Sequence, residues 1–402
     1  MNVLFVSWDG PQVSYLEGLF LPIFSALQAH SIHFHVMQFT WADADSIQQT
    51  REAYEAAGIS YQSIHVRRYP KTLSAVLTAA WGGQLIRRAV RRFAIDVVMP
   101  RSVMPSLATL LAPGIRAIPV VFDADGLPID ERVEFTGELR SSLRQRAMRT
   151  VEVEIVRRAT VVLTRTAKAS EVLLHRAGAG AEAARFHVVS NGRDARKFHP
   201  FDAPSRSRVR AGLGIADDAP LLVYAGSIGP QYCLEGIVEL FANVWRRRPE
   251  ARMLVLSSSA TPFMKMANWL SIPPDAIVQT AIRPGKVPEY LACADLGLAL
   301  RTPSFSMQAV APIKLGEYLL CGLPVVATRA IGNTSVIDGD TGCLLDSIDP
   351  PSLERAAAWF VETVLPDREG FRERSQRLGQ AHFSLEDSVR VYLRALDLLR
   401  KS

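Results

Sequence analysis

Short β-branched and aliphatic runs alternate with longer stretches whose apolar residues recur every three or four positions, from the first residues onward. That alternation is the mark of strands buried on both faces and separated by amphipathic helices. Residues 3–7, 32–39, 61–66, 96–99, 118–122, 160–164 and 186–190 read as strands. Residues 13–29 predict a helix with Leu16, Leu19, Phe20, Ile23 and Leu27 on one face, and residues 42–57 predict the next. A turn-rich stretch, 198–207, reads as an inter-domain linker. The pattern then restarts, with strands at 221–225, 253–257, 277–279, 296–300 and 324–328. A repeated strand–helix–strand rhythm implies parallel sheets with helices on both faces. The fold class is therefore α/β, with two doubly wound domains at 1–200 and 201–384, each able to bury its own core. A last helix, 385–401, aligns Leu385, Val389, Tyr392, Leu393, Leu396 and Leu399.

Composition narrows the class. No run of eighteen apolar residues occurs, so no membrane span is expected, and a strand opening at residue 3 leaves no room for a signal peptide. Cys233, Cys293, Cys321 and Cys343 are scattered without metal spacing and read as small buried hydrophobes, which fits a reducing, cytoplasmic setting. The net charge of +6 lies in the first half, about +6 over 1–200 against about zero over 201–402. Arg87, Arg88, Arg91 and Arg92 oppose Ile86, Val90 and Phe93 on one helix, and Arg140, Arg144, Arg146 and Arg149 form a second cluster. Both read as solvated faces, or as peripheral contact with an anionic membrane. No aromatic–basic platform accompanies them, so nucleic acid is not an expected partner.

The densest chemistry lies in 303–327. It reads as a Ser-rich loop, a short helix with Pro312 in its first turn, a turn at Gly322 and a buried strand. Lys314 and Glu317 share a helix face, while Leu315, Tyr318 and Leu319 turn toward a core. A cation and a carboxylate near a helix start at the edge of a parallel sheet suit a sugar nucleotide. The helix end attracts phosphate, and the carboxylate can accept ribose hydroxyls.

This segment resembles the nucleotide-sugar site of the family 4 retaining glycosyltransferases, which have the GT-B fold of two Rossmann-like domains facing a central cleft. Their Glu-x7-Glu signature finds Glu317 at its second Glu, with Gly322-Leu-Pro324-Val-Val following, but Ala309 at its first. Pro312-Ile-Lys314-Leu-Gly-Glu317-Tyr318 fits a branch that carries Pro-x-Lys-x-x-Glu-Tyr instead. Asn191-Gly-Arg193-Asp194, with Phe198 and Pro200 beyond, resembles the Asn-Gly-Val-Asp element before the family's linker, Arg193 replacing Val. Its expected role is turn geometry, with Phe198 plugging the first core. Gly226 and Ser227 follow the first strand of the second domain, where the family places an Arg and a Lys for the diphosphate; both are missing here.

The resemblance implies a transferase moving a hexose from a nucleotide diphosphate sugar to a glycan or lipid-linked acceptor with retained configuration, in surface polysaccharide synthesis. The last helix, with 385–402, would cross back to the first domain. Lys314 would hold the diphosphate and Glu317 the ribose, with Gly226–Ser227 against phosphate or sugar and Arg283 at the base or a phosphate. Asp125, at the family's His position, would lie near the reacting sugar, and Asp9-Gly10 would face the acceptor. No cofactor or metal is implied. Asp123-Ala-Asp125 also spells the Asp-x-Asp metal–nucleotide motif of another transferase fold, and His33 and His35 share a strand face. So short an Asp-x-Asp motif often arises by chance and lies apart from the nucleotide signals of the second half, and the histidines lack a carboxylate partner at metal spacing. The alternatives are a non-catalytic GT-B partner subunit and a sugar-nucleotide epimerase.

Overall fold

The computed structural model describes residues 1–11, 15–66, 71–257, 261–280 and 282–400. The chain forms two compact units, Met1–Ser190 with Ser388–Ser402, and Asn191–Asp387. Val13 at the expected start of the first helix, Ala281 before Arg283, and Lys401 lie outside the described residues. Among the described residues no helix is long and apolar enough to cross a membrane.

In the first unit, β1 (Asn2–Asp9), β2 (His33–Thr40), β3 (Ser60–His65) and β4 (Val97–Pro100) form a parallel sheet in the order β3-β2-β1-β4. A second parallel sheet, β5-β6-β7, is built from β5 (Val121–Asp123), β6 (Val161–Thr164) and β7 (Phe186–Val188). Isolated parallel bridges at Val98–Val120 and Arg101–Asp123 join the two at β4 and β5. The first helix begins with a wide π-type turn, Leu16–Phe20, before the regular Leu21–Gln28. Its Phe24 stacks on Phe34 of β2 at 3.8 Å between centroids. Of the first basic helix (Lys71–Arg92), Ile86 is buried while Arg88, Arg91 and Arg92 are exposed. In the second cluster Arg149 is half-buried and ion-paired, with Asp130 at 3.0 Å and Glu152 at 2.5 Å.

The second unit holds β8 (Leu221–Ala225), β9 (Arg252–Leu256), β10 (Ile277–Gln279), β11 (Leu296–Ala299), β12 (Val325–Thr328) and β13 (Gly342–Leu345). All pair in parallel in the order β10-β9-β8-β11-β12-β13. The order reverses between β8 and β11, and the crevice beyond the carboxyl ends of such strands is where open α/β sheets bind ligands. β8 is buried along its whole length, as its unbroken Leu-Leu-Val-Tyr-Ala demands. The helix Leu234–Arg247 buries Ile237, Val238, Leu240, Phe241 and Val244 against the sheet.

Two expectations are corrected here. The stretch that reads as linker contains the helix Ala203–Gly212, because the Asp202 side chain accepts from the Ser205 amide and a proline occupies the first turn. Its Arg206 and Arg210 reach the buried Asp295 at 3.2 and 2.8 Å, which fastens the helix to the start of β11. Phe198 packs in the core of the second unit, with Leu221, Leu319 and Phe383, and not in the first. Asn191–Pro200 joins the second unit through main-chain bonds: Arg193 N donates to Phe383 O (2.8 Å), and Leu385 N donates to Arg193 O (2.9 Å).

Candidate functional site

The helix Ile313–Leu320 starts at Pro312, which serves as its N-cap, and stops at Gly322, whose φ of +77° is a left-handed turn that favours glycine. Leu315, Tyr318 and Leu319 are fully buried, as the pattern predicts. Tyr318 does more than pack. Its Oη accepts from the Ala225 amide at 2.9 Å, which locks the helix to the carboxyl end of β8. Lys314, one turn earlier, is thereby carried beneath the next residue, Gly226.

The fit there excludes any side chain on Gly226. A Cβ at this position would fall 1.6 Å from Lys314 Nζ, and the φ of +129° is itself a glycine conformation. Lys314 Nζ is enclosed, 5.0 Å from the Tyr224 ring centroid and 4.7 Å from that of Tyr232, and has no hydrogen-bond partner among the described residues. Burial, helped by the nearby Arg301 guanidinium, brings its ammonium down from 10.5 to about 7. Glu317 pulls the other way without prevailing.

Arg301 lies over the other side of this arrangement, its guanidinium 4.7 Å from the Tyr232 centroid. Its position is set by the backbone. Arg301 N donates to Thr328 Oγ1 at 2.9 Å, Thr328 Oγ1 donates to Arg301 O at 2.8 Å, and Thr302 N donates to Gln231 O at 3.1 Å. The loop 229–232 is thus tied to the end of β11. Nothing in the sequence singles out Arg301 or Tyr232; each is a lone residue in a loop with no motif around it.

Glu317 is brought into the same neighbourhood but is already engaged. Arg193 Nη2 reaches its Oε1 at 2.8 Å, and the Arg193 guanidinium also lies 4.8 Å over the Phe198 ring. Burial raises the Glu317 carboxyl above its ordinary value, while Arg193 and then Lys314 oppose the rise. Asn191 Nδ2 donates to Ala311 O at 2.7 Å, on the approach to the same helix. Arg193, the departure from the family's valine, is therefore the direct partner of the motif carboxylate. Ala309 is fully buried in the turn Ser306–Ala309 and offers no carboxylate.

The remaining expected residues separate. Ser227 is exposed after β8, its carbonyl accepting from Tyr224 Oη. Arg283 is exposed on the loop after β10, two strands from β8. Asp9, Gly10 and Asp125 belong to the first unit. There the buried Arg101 pairs with Asp123 at 2.9 Å and Asp125 at 2.6 Å, and Arg165 reaches Asp123 from the other side at 2.5 Å. Burial raises the Asp9 carboxyl above its ordinary value, with Arg101 opposing. Asp125 pairs with Arg101 at the carboxyl ends of β4 and β5 and is 41% exposed, while Asp9, at the end of β1, feels the same guanidinium without a direct pair among the described residues. Each oxygen of Asp123, the first carboxylate of the Asp-x-Asp, is thus paired with an arginine. His35 bonds Ser60 through Nδ1 at 2.7 Å and stacks on Phe93. Among the described residues no cluster of His, Cys, Asp or Glu could hold a metal ion.

Residues 219–363 match the family described as glycosyl transferases group 1, and residues 21–192 match the glycosyl transferase 4-like domain. A D-inositol 3-phosphate glycosyltransferase of Xylanimonas cellulosilytica is 28% identical over 214 residues, covering 50% of this chain and 48% of its own. The enzyme of the same name from a Nocardioides species is 31% identical over 245 residues, covering 55% and 51%. The chain spans about half the length of the curated relatives it matches. In fold it is similar to Anabaena HepE in complex with UDP, with a TM-score of 0.75, 15% identity, and 99% and 100% of the two chains covered. HepE has also been solved with UDP-glucose. A match to the glycosyl transferase 4-like domain at 21–192, one to glycosyl transferases group 1 at 219–363, and two Rossmann-like units together give the chain two glycosyl transferase domains in a GT-B fold.

Proposed function

We propose that this chain transfers a hexose from a nucleotide diphosphate sugar to a glycan or lipid-linked acceptor, with retention of configuration, in surface polysaccharide synthesis. The observation that carries the donor half is Lys314: an enclosed amine with no hydrogen-bond partner among the described residues, directly beneath a glycine at the switch point of the second sheet. A buried unpaired cation is costly, and an arriving diphosphate supplies the missing counter-charge. UDP and UDP-glucose in HepE support a donor of this class.

Glu317, steadied by Arg193, accepts the ribose hydroxyls through its second oxygen. The Gly226–Ser227 loop runs along the phosphate or sugar, and Arg283 takes the base or a phosphate. Asp125, held by Arg101, orients the reacting sugar, while Asp9 and Gly10 receive the acceptor. The departing diphosphate takes the acceptor's proton on the face it leaves, so the protein contributes charge stabilisation and positioning and no nucleophile. Charge on the leaving group falls to Lys314 rather than to a metal or cofactor. The exposed Leu139 and Leu143, set among Arg140, Arg144 and Arg146, support peripheral contact with an anionic inner membrane face on the cytoplasmic side.

A thermal-shift series with uridine, guanosine, adenosine and thymidine diphosphate sugars tests the donor site. One base should raise the melting temperature of the wild type, and the rise should disappear in Lys314→Ala. An equal rise in the variant would remove Lys314 from the site. Binding without turnover on any acceptor would favour the non-catalytic partner.

A further inference from the structure

Resting on the donor-site reading above, we propose that Arg301 is the second cation of that site, and that it forms with Lys314 a two-point clamp on the diphosphate, spaced by the Tyr232 ring.

The two charges lie at the same distance, 4.7 Å, from one ring centroid, and neither has a carboxylate within salt-bridge reach among the described residues. Besides that ring, the Arg301 guanidinium makes a weak contact, Nη1 to Met307 Sδ at 3.5 Å. Two like charges held close with no counter-ion form an arrangement that costs free energy in the empty protein. That repulsion registers on Lys314, whose ammonium is depressed by Arg301 after burial itself.

Topology places the pair where a ligand belongs. Arg301 follows β11 and Gly226 follows β8, the neighbouring strands between which the sheet order reverses. The loop bearing Tyr232 is stitched to the Arg301 loop by Thr302 N to Gln231 O and by Thr302 Oγ1 to Pro230 O at 2.8 Å. Ring and guanidinium therefore form one unit. A nucleotide diphosphate sugar carries one negative charge on each phosphate, so two separated cations match it and a single one does not. Arg301 also fills a vacancy in charge: Ser227 stands where the related transferases carry their arginine. A planar guanidinium with several donors can span two phosphoryl oxygens, which an ammonium alone cannot.

The test is calorimetric titration of wild type, Arg301→Gln and Arg301→Lys with the sugar nucleotide found in the thermal-shift series, and with the corresponding nucleoside monophosphate. Arg301→Gln should weaken the diphosphate sugar by at least about tenfold and the monophosphate by less than about threefold, with Arg301→Lys recovering part of the loss. Equal affinity of wild type and Arg301→Gln for the diphosphate sugar would overturn the proposal. So would an equal loss for both ligands, which is the result expected if Arg301 only props the Tyr232 loop. Failure of the wild type to bind any sugar nucleotide would instead strike the donor-site reading itself, and this proposal with it.

Discussion

Replacing Lys314 with methionine should make the free protein more stable while destroying its donor binding. The ammonium moves from 10.5 to about 7 on folding, a shift that corresponds to at most about 5 kcal/mol held against the native state at pH 7 and below. Methionine keeps an apolar chain of similar length between Tyr224 and Tyr232 and removes the charge. Without the ammonium its attraction to the two rings also disappears, which offsets about 1–2 kcal/mol, so a net gain of roughly 2–4 kcal/mol is expected. For a unit of this size that corresponds to a rise in melting temperature of roughly 5–15 °C.

The sign with pH follows from proton counting. Folded Lys314 holds fewer protons than the unfolded chain between pH 7 and 10.5, so the wild type gains stability as pH rises through that window. The advantage of Lys314→Met should therefore be full at pH 6.5 and fade toward pH 10. Thermal melts of both proteins across this range, followed by near-ultraviolet circular dichroism, measure it. The same displacement makes donor binding take up about three-quarters of a proton at pH 7.5, which titration in buffers of different ionisation enthalpy reads directly. A methionine variant that is less stable at every pH, or more stable by a constant amount, would refute the depressed proton affinity of Lys314.

Three further outcomes are expected. Tyr318→Phe strands the buried Ala225 amide, so it should cost about 1–3 kcal/mol in urea denaturation and weaken donor binding by loosening the strand end that carries Gly226. Asp295→Ala leaves the buried Arg210 unpaired and removes the acceptor for Leu221 N, so the second unit should lose about 3–5 kcal/mol, seen as an earlier urea transition. A chelator should leave transferase activity unchanged, since Asp123 is bound by Arg101 and Arg165; full loss on chelation and return with a divalent ion would contradict this.

Apolar periodicity carries most of the fold, because parallel strands buried on both faces must be nearly continuous in hydrophobic residues, and β8 and β10 match their expected bounds. It is weakest where short polar-flanked runs form the element. β13 is only Gly-Cys-Leu-Leu with two half-buried positions, too short to stand out from the turn before it. The helix Ala203–Gly212 is hidden by composition: proline and serine read as linker, yet proline suits a first helical turn and Asp202 caps it through the Ser205 amide. Phe198 is misplaced by sequence alone because nothing in a lone aromatic beside a turn says which of two cores will take it.

The site shows a different asymmetry. Lys314 and Glu317 are legible because a helix start imposes fixed spacing on what it presents, whereas Arg301, Tyr232 and Arg193 sit in loops whose placement depends on distant main-chain bonds. The departures from the family's motif nevertheless form a consistent set. Arg193, in place of valine, pairs with the motif carboxylate, and Arg301 stands beside Lys314 where Ser227 brings no charge. Ala309, buried in the turn Ser306–Ala309, supplies no carboxylate. Each change alone looks like erosion of a site. Together they leave Lys314 and Arg301 as the cations at the carboxyl ends of β8 and β11, the arrangement that the proposed anionic donor requires.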